Sequence, residues 1–84
     1  MDIKVRTKTR VSLIDCTHKN IGLYGKSVQG ELNYVVASQG DRVEILGEYK
    51  NEERARRILN QIQAAIEMAF DKEKHGIIIQ MPQE

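Results

Sequence analysis

Residues 51 to 76 read Asn51-Glu52-Glu53-Arg54-Ala55-Arg56-Arg57-Ile58-Leu59-Asn60-Gln61-Ile62-Gln63-Ala64-Ala65-Ile66-Glu67-Met68-Ala69-Phe70-Asp71-Lys72-Glu73-Lys74-His75-Gly76. Ala55, Ile58, Leu59, Ile62, Ala65, Ile66 and Ala69 recur at spacings of three and four, which puts them on one stripe of an α-helix. Asn51 is a good N-cap, and Glu52 and Glu53 place negative charge on the first turn, where the helix dipole favours it. Glu52 with Arg56, and Glu53 with Arg57, are i,i+4 pairs in the favourable orientation. Lys72 and Lys74 suit a C-terminus, and Gly76 suits a left-handed stop. The spacing predicts a helix from about residue 52 to about residue 74.

Strands are expected on either side of it. Ile3 to Ile14 reads as one long strand, ended by the turn formers of Asp15-Cys16-Thr17-His18-Lys19-Asn20. Ile21 to Val28 is a weaker strand interrupted by Gly22 and Gly25, and Gln29-Gly30-Glu31 reads as a turn. Leu32 to Ala37 is strongly β, with Leu32, Tyr34 and Val36 on one face. Ser38-Gln39-Gly40-Asp41 is a hairpin signal. Arg42 to Tyr49 returns, with Val43 and Ile45 on one face and Glu44 and Glu48 on the other. Ile77-Ile78-Ile79 forms a last strand, pairing in its own sheet or adding to a neighbour's edge. The order ββββαβ describes a single α+β domain over residues 1–84: an antiparallel sheet covered on one face by a single long C-terminal helix.

The first strand carries the sharpest chemical signal. In Lys4-Val5-Arg6-Thr7-Lys8-Thr9-Arg10 every second residue is basic. In one continuous strand Lys4, Arg6, Lys8 and Arg10 all point one way, about 6.6–7 Å apart. Such a row suits the phosphates of a nucleotide or a nucleic-acid backbone. It equally suits a solvated edge strand, where cations deter aggregation. Arg54, Arg56 and Arg57 form a second basic group, with Arg56 and Arg57 opposite the apolar stripe. The net charge of +1 hides an asymmetry: residues 1–30 hold six basic and two acidic side chains, and the remainder seven basic and ten acidic. No general nucleic-acid affinity follows from a balance so near neutral.

Catalysis and metal binding find little support. Asp15, Cys16 and His18 fall in one turn, and His75 is distant in sequence; three or four convergent ligands, or a nucleophile with base and orienter, are not recognisable. Gly22-Leu23-Tyr24-Gly25-Lys26-Ser27 echoes a phosphate loop, but its first glycine is wrongly spaced and no helix follows. No cofactor is expected. One cysteine excludes an internal disulfide, and Met1-Asp2-Ile3-Lys4 leads into alternation rather than an apolar leader, so a cytoplasmic, non-membrane protein is expected. An 84-residue chain has a thin core, which predicts a homo-oligomer, most simply a two-fold dimer.

The stretch Leu46-Gly47-Glu48-Tyr49-Lys50-Asn51-Glu52-Glu53-Arg54-Ala55, with Ile58, Leu59 and Ile62 beyond it, resembles the ending of a group of small uncharacterised Firmicutes and phage proteins. Their openings are similar to Lys4-Val5-Arg6-Thr7 and Leu13-Ile14-Asp15. The resemblance covers about half the chain and departs from it in the longer helix and the added last strand. It implies a phage or prophage accessory protein in the host cytoplasm and transfers no site residue. Two functions are therefore expected. The first is a non-enzymatic binding protein whose basic residues (Lys4, Arg6, Lys8, Arg10, Arg56, Arg57) hold an anionic ligand, a nucleotide signal or a nucleic-acid backbone, with sequestration as a mode of action. The alternative is a protein-interaction module that inhibits or adapts a host protein.

Overall fold

The structure is a computed structural model, and it describes residues 1–25 and 32–83. Six strands and one helix follow in the order β1 (Asp2–Arg6), β2 (Leu13–Asp15), β3 (Asn20–Tyr24), β4 (Tyr34–Gln39), β5 (Arg42–Glu48), α1 (Glu52–Asp71) and β6 (Gly76–Gln80). The class is α+β, as expected, but the strands form two three-stranded sheets, β2-β1-β6 and β3-β4-β5. The first is mixed, because β6 runs parallel to β1 while β2 is antiparallel to it. The second is an antiparallel meander.

The expected long strand from Ile3 to Ile14 is corrected to a hairpin. β1 stops at Arg6, the chain reverses over residues 7–12, and Leu13–Asp15 pairs back, with Val5 opposite Ile14. Hydroxyls and main chain close the turn: Thr7 N donates to Ser12 O (3.0 Å), Arg10 N to Thr7 O (2.9 Å), and Ser12 N to Thr7 Oγ1 (3.3 Å). Arg10 takes a left-handed conformation, φ 65°. The reversal brings Ile14 and Cys16 into the core beside Ile3 and Val5. Beyond β2, Thr17 anchors the return by accepting from Ile3 N (3.0 Å) and donating to the Asp15 carboxylate.

The two-residue loop Gly40-Asp41 joins β4 to β5, and Gly40 at φ 61° supplies the conformation such a hairpin needs. A bulge then shifts β5: Val36 faces Ile45 but Val35 faces Gly47, so Leu46 is the extra residue. It turns Leu46 into the core, and it puts Glu44 and Glu48 on opposite faces rather than the shared face expected from alternation. Gly47 is required by packing, since a Cβ there would lie 3.0 Å from Lys8 Cβ and from the Tyr49 ring. The expected strand from Ile21 to Val28 ends at Tyr24 in β3; residues 26–28 and the Gln29-Gly30-Glu31 turn lie outside the described residues.

α1 starts as read, with Arg54 N donating to Asn51 Oδ1 (2.8 Å). It ends three residues earlier than expected, and Glu73 (φ 54°), not Gly76, is the left-handed residue. Glu73 N donates to Phe70 O (3.0 Å) and Lys74 N to Ala69 O (3.0 Å), the two bonds of a Schellman cap. Gly76 instead begins β6 against Asp2, where a Cβ would meet Asp2 O at 3.1 Å. The helix contacts β3 and β4 of one sheet and β6 of the other, so it does not cover a single sheet. Its Ala55, Ile58 and Ile62 meet Val5, Val35, Ala37, Leu46, Tyr49 and Met81 in one core. No described helix is long and apolar enough to cross a membrane.

Candidate functional site

The reversal at residues 7–12 divides the four cations of the first segment. Lys4 and Arg6 lie on the face of β1 opposite the buried Val5, and Lys4 has Asp15 as its cross-strand neighbour. Lys8 and Arg10 leave that row: Lys8 lies over Tyr49, just after β5, and the charge of Arg10 reaches the same tyrosine. The expected continuous basic stripe is therefore absent: alternation aligns side chains only while the strand continues, and here it ends at Arg6.

Lys8 is fixed at both ends. Its main-chain N–H donates to Leu46 O (2.8 Å), which ties the turn to the bulge of β5 and joins the two sheets. Its ammonium sits 4.6 Å from the centre of the Tyr49 ring and donates to the Glu48 carbonyl (2.5 Å). A cation over an aromatic face is held by the ring's quadrupole. Tyr49 is itself buried, and its hydroxyl donates to Pro82 O (2.8 Å). Burial pushes the Tyr49 phenol up, and the charges of Arg54 and Arg10 pull partly against that rise. Lys8 thus lies over the ring, and the charges of Arg54 and Arg10 also reach it. Arg10 is half-buried, and its Nη1 is buried with no hydrogen-bond partner among the described residues.

Beside this cluster a cleft of about 860 Å³ opens between the 7–12 turn and β5. Lys8, Thr7, Thr9, Ser12 and Tyr34 supply polar groups to it, and Val11, Ile14 and Ile45 supply apolar wall. The Glu48 carboxylate is hydrogen-bonded to the Tyr34 hydroxyl, which raises the Tyr34 pKa. A cleft of this size, with polar groups set beside an apolar wall, has room for a small ligand.

Arg56 and Arg57 stand apart from this site. They are exposed on α1 and bonded to Glu52 and Glu53, each at 2.8 Å. Glu52 also accepts from Leu32 N (3.1 Å), and these bonds, Arg56's first, hold its carboxyl below the usual range. Cys16 is buried in the core, and burial pushes its thiol up; His18 is exposed. Among the described residues, no three His, Cys, Asp or Glu side chains converge as metal ligands.

Sequence reasoning gave Tyr49 no role in the site. The available signal was Gly47 inside a strand, which marks a close approach of backbone or side chain. No protein-family model, curated protein or solved structure matches this chain.

Proposed function

We propose that the chain is a non-enzymatic binding protein that holds an anionic ligand, a nucleotide signal or a nucleic-acid backbone, at Lys8 and Arg10 beside Tyr49. The observation that carries this reading is the buried Nη1 of Arg10, which has no hydrogen-bond partner among the described residues and lies two positions along the chain from Lys8. Buried guanidinium N–H groups are expensive to leave unbonded, and a phosphate oxygen is their natural acceptor. The cleft that Lys8 lines, with its hydroxyls and apolar wall, has room for a base or sugar. In a phage or prophage setting such a protein acts by sequestering its ligand. Lys4 and Arg6 extend the positive field without touching this site.

Calorimetric titration with mono- and dinucleotides and a short single strand, at low salt, tests the reading. Binding is expected to weaken steeply with salt and at least tenfold in Arg10→Gln, with Arg10→Lys recovering only part, because the guanidinium fork is lost. An absence of binding by the wild type, or equal binding by Arg10→Gln, overturns it.

A second reading, a module that inhibits or adapts a host protein, is supported by Val11, Phe70 and Ile78, which are 81%, 72% and 65% exposed. Retained host-protein binding in a chain that binds no anion favours that reading.

A further inference from the structure

We infer that the ligand is a ribonucleotide and that Glu48 selects it by accepting hydrogen bonds from the ribose hydroxyls. This rests on the reading above, in which the site beside Tyr49 holds an anion, and it narrows that anion to one chemical class.

The cleft carries charges of both signs. Lys8 and Glu48 both line it, and of the described residues that do, Glu48 alone is acidic. The two lie close together, because the Lys8 ammonium donates to the main-chain carbonyl of Glu48. Yet among the described residues no ion pair joins that ammonium to the Glu48 carboxylate. The ammonium is held by the carbonyl and the Tyr49 ring, and the carboxylate by the hydroxyl of Tyr34, its cross-strand neighbour. Each charged group is thus left to meet its own kind of ligand atom. A chain of phosphates laid along the cleft would be repelled by the carboxylate. A ligand that satisfies both groups has an anionic end with neutral donors beside it.

An ionised carboxylate only accepts, at about four lone-pair sites on its two oxygens, and Tyr34 occupies one of them. The threonine hydroxyls of the cleft are committed to the turn: Thr7 Oγ1 accepts from Ser12 N (3.3 Å) and is bonded to Thr9 Oγ1 (3.4 Å). Glu48 is therefore the strongest acceptor that the cleft offers. In a ribonucleotide the 2′ and 3′ hydroxyls are the neutral donors nearest the phosphate, and the donors of the base edge lie farther out. A carboxylate whose own carbonyl touches the phosphate-binding lysine is placed for the near donors. Acidic side chains bond the ribose 2′-hydroxyl in dinucleotide sites by the same chemistry. Tyr34 is a positioning residue, since its bond fixes where the carboxylate sits.

Calorimetric titration at low salt with adenosine 5′-monophosphate and its 2′-deoxy analogue tests this, with guanosine 5′-monophosphate as a third probe. The wild type is expected to bind the ribonucleotide at least about tenfold tighter than the deoxy form, the effect of one hydrogen bond to a charged acceptor. Glu48 is exposed, so Glu48→Ala and Glu48→Gln should fold, by circular dichroism. Glu48→Ala should remove the preference, and Glu48→Gln, whose amide oxygen still accepts, should keep part of it. Tyr34→Phe should lower the preference without changing the salt dependence of binding. Arg10→Gln should weaken both analogues alike and leave their ratio unchanged. Equal binding of the two analogues by the wild type, or a preference intact in Glu48→Ala, overturns the inference and leaves the anion site standing. So does a guanine preference that Glu48→Ala removes while the ribose preference persists. Binding of none of the three probes by the wild type overturns the anion site and this inference together.

Discussion

Removing the Tyr49 ring tests how the molecule is tied together, because that ring touches three separate parts of the chain. It lies under Lys8 of the 7–12 turn, packs against Gly47 of β5, and bonds Pro82 of the C-terminal segment. Tyr49→Phe removes only the hydroxyl and should cost about 1 kcal/mol, the net worth of one hydrogen bond. Tyr49→Ala also empties a site that is 2% exposed. Truncating a buried aromatic costs about 3–5 kcal/mol, and the lost cation–π contact adds roughly 0.5–1 kcal/mol at a half-buried lysine. An 84-residue domain has a total stability on the order of 4–13 kcal/mol, so Tyr49→Ala should remove about a quarter or more of it. Urea denaturation followed by circular dichroism measures both changes, with the slope unchanged if the transition stays two-state. A loss under 1 kcal/mol in Tyr49→Ala would refute the packing of the turn, the bulge and the tail on one ring.

Ile62, 3% exposed on the apolar stripe of α1, should cost about 2–5 kcal/mol on replacement by Ala in the same assay, and a change within error would refute the orientation of the helix. Stability should also fall on acidification. Asp15, lowered chiefly by its bond from the Thr17 hydroxyl, and Glu52, lowered chiefly by Arg56, both titrate below their ordinary values of 3.8 and 4.5. A depressed carboxyl pKa contributes stability that is complete above the unfolded pKa and is lost as pH falls through the folded one. The loss should therefore begin below about pH 4.5 and be shallower in Asp15→Asn and Glu52→Gln, and a profile unchanged by both substitutions would contradict the assignment.

The helix was legible almost residue by residue because capping, charge and periodicity agree over twenty positions. The β4–β5 hairpin was legible from Gly40. The reversal at residues 7–12 was not, because Thr7-Lys8-Thr9-Arg10-Val11-Ser12 contains no glycine, proline or asparagine and alternates like a strand. Its hydroxyls close the turn, and Arg10, a β-carbon-bearing residue, takes the left-handed conformation there. One signal was present: the inward residues Ile3, Val5 and Thr7 are odd-numbered, while Ile14 and Cys16 are even-numbered, and a parity change marks an interruption of the strand. The bulge at Leu46 removed the expected shared face of Glu44 and Glu48 for the same reason, since one extra residue flips everything beyond it. The grouping of Lys8 and Arg10 at Tyr49 joins residues some forty positions apart, and local pattern carries no information about such a contact.

The division of the basic segment is the claim on which the site depends, and nucleotide titration of two double variants tests it most directly. Lys8→Gln with Arg10→Gln removes both cations at Tyr49, whereas Lys4→Gln with Arg6→Gln removes the two on the outer face of β1. Two charge-assisted hydrogen bonds at about 1.5 kcal/mol or more each correspond to a loss of at least 100-fold for the first pair. The second pair, acting only through a screened field, should change affinity by less than about threefold. Equal losses in the two double variants, or a larger loss in Lys4→Gln with Arg6→Gln, would contradict the account and restore a continuous basic face.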